Sequence, residues 1–174
     1  MSRDAIVHCL SYASDRENLE MYQVTSTELL SCRDANGDLA ICYDEEVGVG
    51  VVALVNFAKG DILDRFTGEI GPELTQHSLQ VSPGRHISGT RFIGYISHGC
   101  DPNCGLDMQR QELVALRDIA ADELIRIDYA ATEDRLFTNF SCSCDAENCR
   151  DWIVGRMEAD QSPESGSNDA VHRH

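Results

Sequence analysis

Lysine is almost missing from this sequence: Lys59 is the only one in 174 residues. Fourteen Lys and Arg face thirty Asp and Glu, for a formal charge of -16. Holding a nucleic acid through its phosphates needs clustered cations, so this balance argues against such a partner and in favour of a basic one. Long hydrophobic runs are also missing; none approaches the roughly 18 apolar residues of a membrane span. The opening stretch Met1–Leu10 has no apolar core of the kind that marks a secretory signal, and no basic cluster reads as a nuclear address. The expectation is a soluble intracellular protein, cytoplasmic or nuclear, with reduced thiols and no membrane partner. Aromatic residues are scarce as well, at 6%, with Trp152 the only tryptophan.

What is present is 42% hydrophobic and 25% charged residues, the make-up of a folded domain, in a length suited to one core. From residue 24 to about 130 short apolar runs alternate with glycine, proline and Asn/Asp. These runs are Leu39–Tyr43, Gly50–Val55, Ile62-Leu63, Arg91–Ile96, Leu113–Leu116 and Glu123–Ile127. Runs of this length at short intervals predict a mostly β fold. One short helix is expected, Pro72–Gln80, with its proline in the first turn. Residues 157–174 are polar, lack aromatics and predict a disordered acidic tail. The tail carries Glu158, Asp160, Glu164 and Asp169 against Arg173, so -13 of the charge belongs to the rest of the chain.

Eight cysteines are unevenly spread. Cys9, Cys32 and Cys42 are isolated and read as small buried apolar residues. Cys142-Ser-Cys144 and then Cys149 put three thiols in one short loop, most of a tetrahedral sulfur site for Zn2+. The fourth ligand is expected from Ser97-His-Gly-Cys-Asp-Pro-Asn-Cys104. There Cys104 is favoured, because Asp-Pro-Asn forces a turn that presents the next side chain, and Cys100 is the rival. Zinc in this position is structural: it pins the C-terminal segment to the turn near residue 100.

The ordered set Gly48-Val-Gly50, Phe66-Thr-Gly-Glu69, Tyr95-Ile-Ser-His-Gly-Cys-Asp-Pro-Asn-Cys104, Asp122–Tyr129 and Cys142–Arg150 resembles a SET domain with a cysteine-rich post-SET segment. Gly-x-Gly alone is a weak signal; the His-x-Cys-x-Pro-Asn-Cys run followed by Glu-Leu, Asp-Tyr and the cysteine loop is a strong one. The resemblance implies a SET-like β-clip with a pseudoknot-like C-terminal region and a zinc-bound loop. It divides the chain into a lead-in at 1–23, a SET domain at 24–135, a post-SET zinc segment at 136–156 and the tail. It also implies S-adenosylmethionine as cofactor and lysine N-methylation of a basic protein segment as the reaction.

On that resemblance Tyr129 is the catalytic residue, orienting an amine and walling off water. Gly48, Val49, Gly50, Tyr95, Ser97, His98, Tyr129, Phe140 and Trp152 are the cofactor-binding candidates. Phe66 and Ile127 stand where the family often has tyrosine or phenylalanine in the lysine channel, and Ser97 stands where it usually has asparagine. These departures sustain a second reading, a SET-fold protein that has lost lysine methylation and acts on a small molecule or as a binding module. A third reading is a zinc-stabilised interaction domain without a cofactor.

Overall fold

The structure is a computed structural model that describes residues 37–44 and 48–158. The lead-in, Cys9, Cys32 and the tail beyond Glu158 lie outside those residues. Among the described residues no helix is long and apolar enough to cross a membrane.

Strands β1 (Leu39–Asp44) and β2 (Gly48–Ala53) form an antiparallel hairpin in continuous register, Leu39 opposite Ala53 and Asp44 opposite Gly48. Leu39, Val51 and Ala53 are completely buried. A second sheet joins β3 (Ile62–Arg65) to β9 (Glu112–Ala115) and β9 to β8 (Cys104–Asp107), all antiparallel. The turn between β8 and β9 is built by Asp107, whose Oδ1 accepts the N–H groups of Gln109 and Arg110, both at 3.0 Å. The third sheet has the order β4 (Glu69–Gly71), β6 (Arg85–Ser88), β5 (Leu79–Ser82). Its hairpin turns on Pro83-Gly84, with Gly84 at φ 70°, a conformation only glycine adopts at no steric cost.

The arrangement that sets up the site is the return to the first sheet. Strand β10 (Leu124–Ile127) enters between β2 and β7 (Ser97–His98), antiparallel to β2 and parallel to β7, with Arg126 opposite Ser97 and Ile127 opposite His98. Late chain is thus inserted between strands laid down earlier. Asn103 holds it in place. This side chain is 1% exposed; its Nδ2 donates to the Leu124 carbonyl at 2.8 Å and to Glu123 at 3.0 Å, and its Oδ1 accepts the Arg126 N–H at 2.8 Å.

After β10, Asp128 caps a single helical turn, α1 (Tyr129–Thr132), through Ala130 N–H. Strands β11 (Phe140–Ser141) and β12 (Trp152–Ile153) then close the C-terminal segment over a small second core of Cys100, Cys144 and Ile153.

Two expected elements differ. Pro72–Gln80 is not a helix: Thr75 and Ser78 exchange hydrogen bonds that make a local turn, and Leu79-Gln80 are taken into β5. Such side-chain to backbone bonds compete directly with helix formation. Arg91–Ile96 is not a strand but contains a 3-10 turn at Ile93–Tyr95, started by Thr90 Oγ1 accepting the Gly94 N–H at 3.1 Å.

Replacing Asn103 by alanine orphans a buried N–H and a buried carbonyl around β10, and is expected to cost about 2–4 kcal/mol. Urea denaturation of the full chain measures it; a cost under about 0.5 kcal/mol would mean β10 is held by its ladders alone.

Candidate active site and thiol cluster

Two cavities adjoin at Tyr129. The larger, of about 550 Å³, is walled by the segment Leu74–Leu79, by Ile93–Ile96, by Gly48 and Val49, and by Tyr129, Glu133 and the stretch Arg135–Phe140 apart from Asn139. The smaller, of about 240 Å³, is walled by Val49, Ser97, His98, Tyr129 and Phe140–Cys144. Val49, Tyr129 and Phe140 belong to both.

Tyr129 is positioned from each side. Its phenol donates to the Ile96 carbonyl, and its backbone N–H donates to His98 Nδ1 at 3.2 Å. Burial of the ring, aided by the charge of Glu133, pushes the phenol pKa well above its ordinary value. The phenol is therefore a neutral donor and a poor base.

His98 is held in one tautomer. Since Nδ1 accepts from Tyr129, Nε2 carries the proton and faces Cys100 Sγ at 3.4 Å. Burial lowers its pKa to about 4 despite the opposing charge of Asp128, with Arg150 and Arg126 adding to the fall, so the ring is neutral. His98 is thus both a buried, satisfied histidine and a wall of the smaller cavity.

The thiols of Cys100, Cys142, Cys144 and Cys149 lie within 4.8 Å of one another. Sulfur ligands about 2.3 Å from a tetrahedral ion stand roughly 3.8 Å apart, and Cys100 and Cys142 are already at 3.9 Å. Burial opposes ionisation of Cys144, but the N–H groups of Cys100 and Ala146 and the neighbouring thiols outweigh it, drawing the pKa down to about 6. The donor set and spacing suit a soft ion such as zinc. Cys104, the favoured fourth ligand, is not in the cluster: it opens β8, is 1% exposed and belongs to the main core, where burial raises its thiol to about 12. Cys100 takes the place because it lies before the Asp-Pro-Asn turn, on the side facing the Cys142–Cys149 loop. Asn148 Nδ2 donates to the Cys100 carbonyl at 3.1 Å and the Arg150 N–H to its sulfur at 3.4 Å.

Other expected residues divide. Gly48 and Val49 line the larger cavity, but Gly50 lines neither. A Cβ there would sit 2.9 Å from Ser97 Oγ and 3.0 Å from Leu124, so Gly50 lets β2 pack close to its neighbours. Tyr95 lies in the larger cavity, its ring 4.6 Å from that of His77. Trp152 lines neither cavity; it pairs with Ser141 in the terminal hairpin. Phe66 and Ile127, expected at a lysine channel, are 4% and 1% exposed core residues and line neither cavity.

Ser97 brings an observation of its own. Its hydroxyl is buried with no hydrogen-bond partner, and the residue lines the smaller cavity. A buried polar group without a partner costs about 1–3 kcal/mol, and a ligand with a polar edge would supply the missing bond. Val49 and the Phe140 ring add an apolar and an aromatic wall to the same cavity, a lining of the kind that takes a flat ring with a polar edge.

No family model matches the chain. In sequence it is 28% identical over 113 residues to Methyltransferase flvH of Aspergillus flavus, covering 63% of this chain and 64% of that protein. It is 27% identical over 141 residues to Histone-lysine N-methyltransferase Set2 of Drosophila melanogaster, covering 67% of this chain but 6% of that protein. In structure it is similar to KRYPTONITE in complex with mCHH DNA, H3(1-15) peptide and SAH, with a TM-score of 0.55, 19% identity, and coverage of 67% of this chain and 29% of that one. The chain has the SET-domain fold. The SET motifs predicted which segments meet, whereas three features of the meeting place were not visible: the Leu74–Leu79 wall, the pinning role of Asn103, and Glu133. Asn103 had a signal in its Pro-Asn motif; Glu133, inside the polar run Thr132–Arg135, had none.

Glu133 is 5% exposed, and both its oxygens accept the Gln80 N–H, at 3.1 and 3.0 Å. Burial raises its carboxyl from 4.5 to about 6 against the hydrogen bonds of Gln80 and Thr132 and the charge of Arg156, with Asp134 adding to the rise. The folded chain therefore holds this proton more tightly than the unfolded one. Stability from this group is present below 4.5 and is lost as pH rises through about 6, leaving a cost near 2 kcal/mol at neutrality. Glu133→Gln is expected to remove this slope and to stabilise the chain by about 1–2 kcal/mol at pH 7. Denaturation of both proteins across pH 4–7.5 measures the difference; parallel stability curves would overturn it.

Proposed function

We propose that this SET domain is an S-adenosylmethionine-dependent N-methyltransferase whose first substrate class is lysine in a basic protein segment. One observation carries the reading: two cavities share Val49, Tyr129 and Phe140 as common walls, so a donor on one side and an acceptor on the other would meet at the Tyr129 phenol. Support comes from relatives named as methyltransferases, from a structural neighbour solved with SAH and an H3 peptide, and from the acidity of the chain. Negative charge would speed encounter with a basic segment more than it strengthens the final complex.

The residues that would hold the cofactor are Val49, Ser97 by its unpartnered hydroxyl, and His98 and Phe140 by ring contact, with Gly48 beside them on the wall of the larger cavity. When bound, S-adenosylmethionine supplies an electrophilic methyl group. Transfer to nitrogen needs alignment, an uncharged amine and exclusion of water. Tyr129, fixed by Ile96 and His98, orients the amine, and the aromatic rings of Tyr129 and Phe140, 6.1 Å apart, restrict water. In this reading Cys100, Cys142, Cys144 and Cys149 hold a structural zinc.

A second reading is favoured by a specific observation. About 550 Å³ lies within the 300–1,000 Å³ common for small-molecule sites, and the flvH relative, whose name gives no substrate, matches over most of its length. A free alkylamine is then the acceptor.

Calorimetry with S-adenosylhomocysteine followed by mass-detected methyl transfer to basic peptides and to free amines tests both. Tyr129→Phe is expected to lower turnover roughly a hundredfold; no cofactor binding would overturn the enzyme reading. Metal analysis of purified protein is expected to find one zinc per chain, lost in Cys100→Ser and kept in Cys104→Ser; the reverse pattern would restore Cys104 as the ligand.

A further inference from the structure

The larger cavity contains an acid for which methyl transfer has no stated use. Glu133 is the only Asp or Glu among its lining residues. Among the described residues no cation lies within ion-pair distance of it: Arg156 pairs with Asp134 at 2.9 Å, and Arg135, itself on the cavity wall, pairs with Glu158 at 3.7 Å. Both its oxygens share the Gln80 N–H, while the Thr132 hydroxyl turns to the Tyr129 and Asp128 carbonyls at 3.3 and 3.4 Å, so lone pairs of a buried carboxylate are left unused. A buried charge without a counter-charge is expensive, and folds retain one where a ligand completes it.

A purely architectural role is a weak account. Anchoring the Gln80 N–H, which ties β5 to the segment after α1, needs one acceptor oxygen, and glutamine would offer that without a charge. The rest of the cavity describes what would complement the acid. Leu74, Leu79 and Ile93 give apolar walls, and the His77–Tyr95 ring pair gives an aromatic one. Apolar and aromatic walls with a single carboxylate complement an alkylammonium, stem against carbon and head against charge.

We propose that Glu133 is the specificity-determining carboxylate of the larger cavity, pairing there with the substrate alkylamine as it arrives protonated; the amine then gives one proton to solvent, so that the nitrogen is uncharged when it is methylated. This rests on reading that cavity as the acceptor side of the methyltransferase. The alkylammonium comes either from a lysine side chain of a peptide or from a free amine, and the chemistry of recognition is the same.

The experiment uses the full chain with n-butylammonium and n-butanol as charged and uncharged probes of one shape, read by NMR titration, with S-adenosylhomocysteine titrated separately. Wild type is expected to bind the ammonium at least tenfold more tightly than the alcohol, and Glu133→Gln to erase that preference while keeping the Gln80 anchor. Glu133→Asp, which withdraws the carboxylate by one methylene, should weaken the ammonium alone, and serves if the glutamine variant does not fold. Equal binding of the two probes by wild type, or a preference that survives Glu133→Gln, would overturn the proposal. Ammonium preference without cofactor binding would sink the methyltransferase reading and leave Glu133 standing; cofactor binding without the preference does the opposite. A basic peptide compared with its norleucine-for-lysine twin separates the sources. A tenfold loss that depends on Glu133 identifies a protein substrate, and indifference beside a discriminating butylammonium identifies a free amine.

Discussion

Insertion of β10 between β2 and β7 is the constraint from which the site follows. A strand paired on both edges has little freedom to slide, and Asn103 fastens it further by bonding Leu124, Glu123 and Arg126 from a side chain that is itself inaccessible. Because the side-chain period of a strand is two, a slip of one residue would exchange the faces of Ile125 and Arg126. The same slip would displace Tyr129, which begins α1 two residues after the strand ends. Placement of the tyrosine is thus a consequence of strand register and not of the helix that carries it.

His98 transmits this placement to the thiol cluster. One ring nitrogen receives the Tyr129 N–H and the other faces Cys100, so a single neutral imidazole spans the distance between the two centres. A hydrogen bond from histidine to a ligand thiol tunes the sulfur and orients the ring together. Arg126 adds a second link, its Nη1 donating to the Cys144 carbonyl at 3.0 Å. The C-terminal segment therefore closes onto the smaller cavity through groups that belong to the strand pair, which is why a short loop with a small apolar core can hold Phe140 against Tyr129.

What was legible in the sequence was chemistry that needs close spacing. Cys142, Cys144 and Cys149 can be grouped because one short loop brings them together, whereas Tyr129 stands out only through the resemblance that its motif carries. The sequence favours Cys104 where the structure brings Cys100 to the cluster, because two cysteines flank one turn and only the direction in which that turn faces separates them. The helix expected at Pro72–Gln80 gives way to a turn in which the Ser78 hydroxyl bonds the Thr75 backbone, a local competitor that apolar periodicity does not reveal. Glu133 was illegible for a different reason: a glutamate among Thr, Asp and Arg has the pattern of a solvated surface, and its burial is created by Gln80, more than fifty residues earlier.

The departures from the family pattern change meaning once they are located. Phe66 and Ile127 are core residues, so the hydroxyl or ring absent at those positions is absent from the packing and not from a cavity wall. Ser97 is the opposite case, a replacement that lies in the smaller cavity and leaves a buried hydroxyl unpaired. Under the proposed function, selectivity would come from what does line the larger cavity: the Leu74–Leu79 segment, the His77–Tyr95 pair and Glu133. An ionised glutamate held there weakens the fold at neutral pH, because burial favours its protonated form. A carboxylate on the same cavity wall as Tyr129 is the physical reason to look for substrate charge in that cavity before looking for it on the acidic surface.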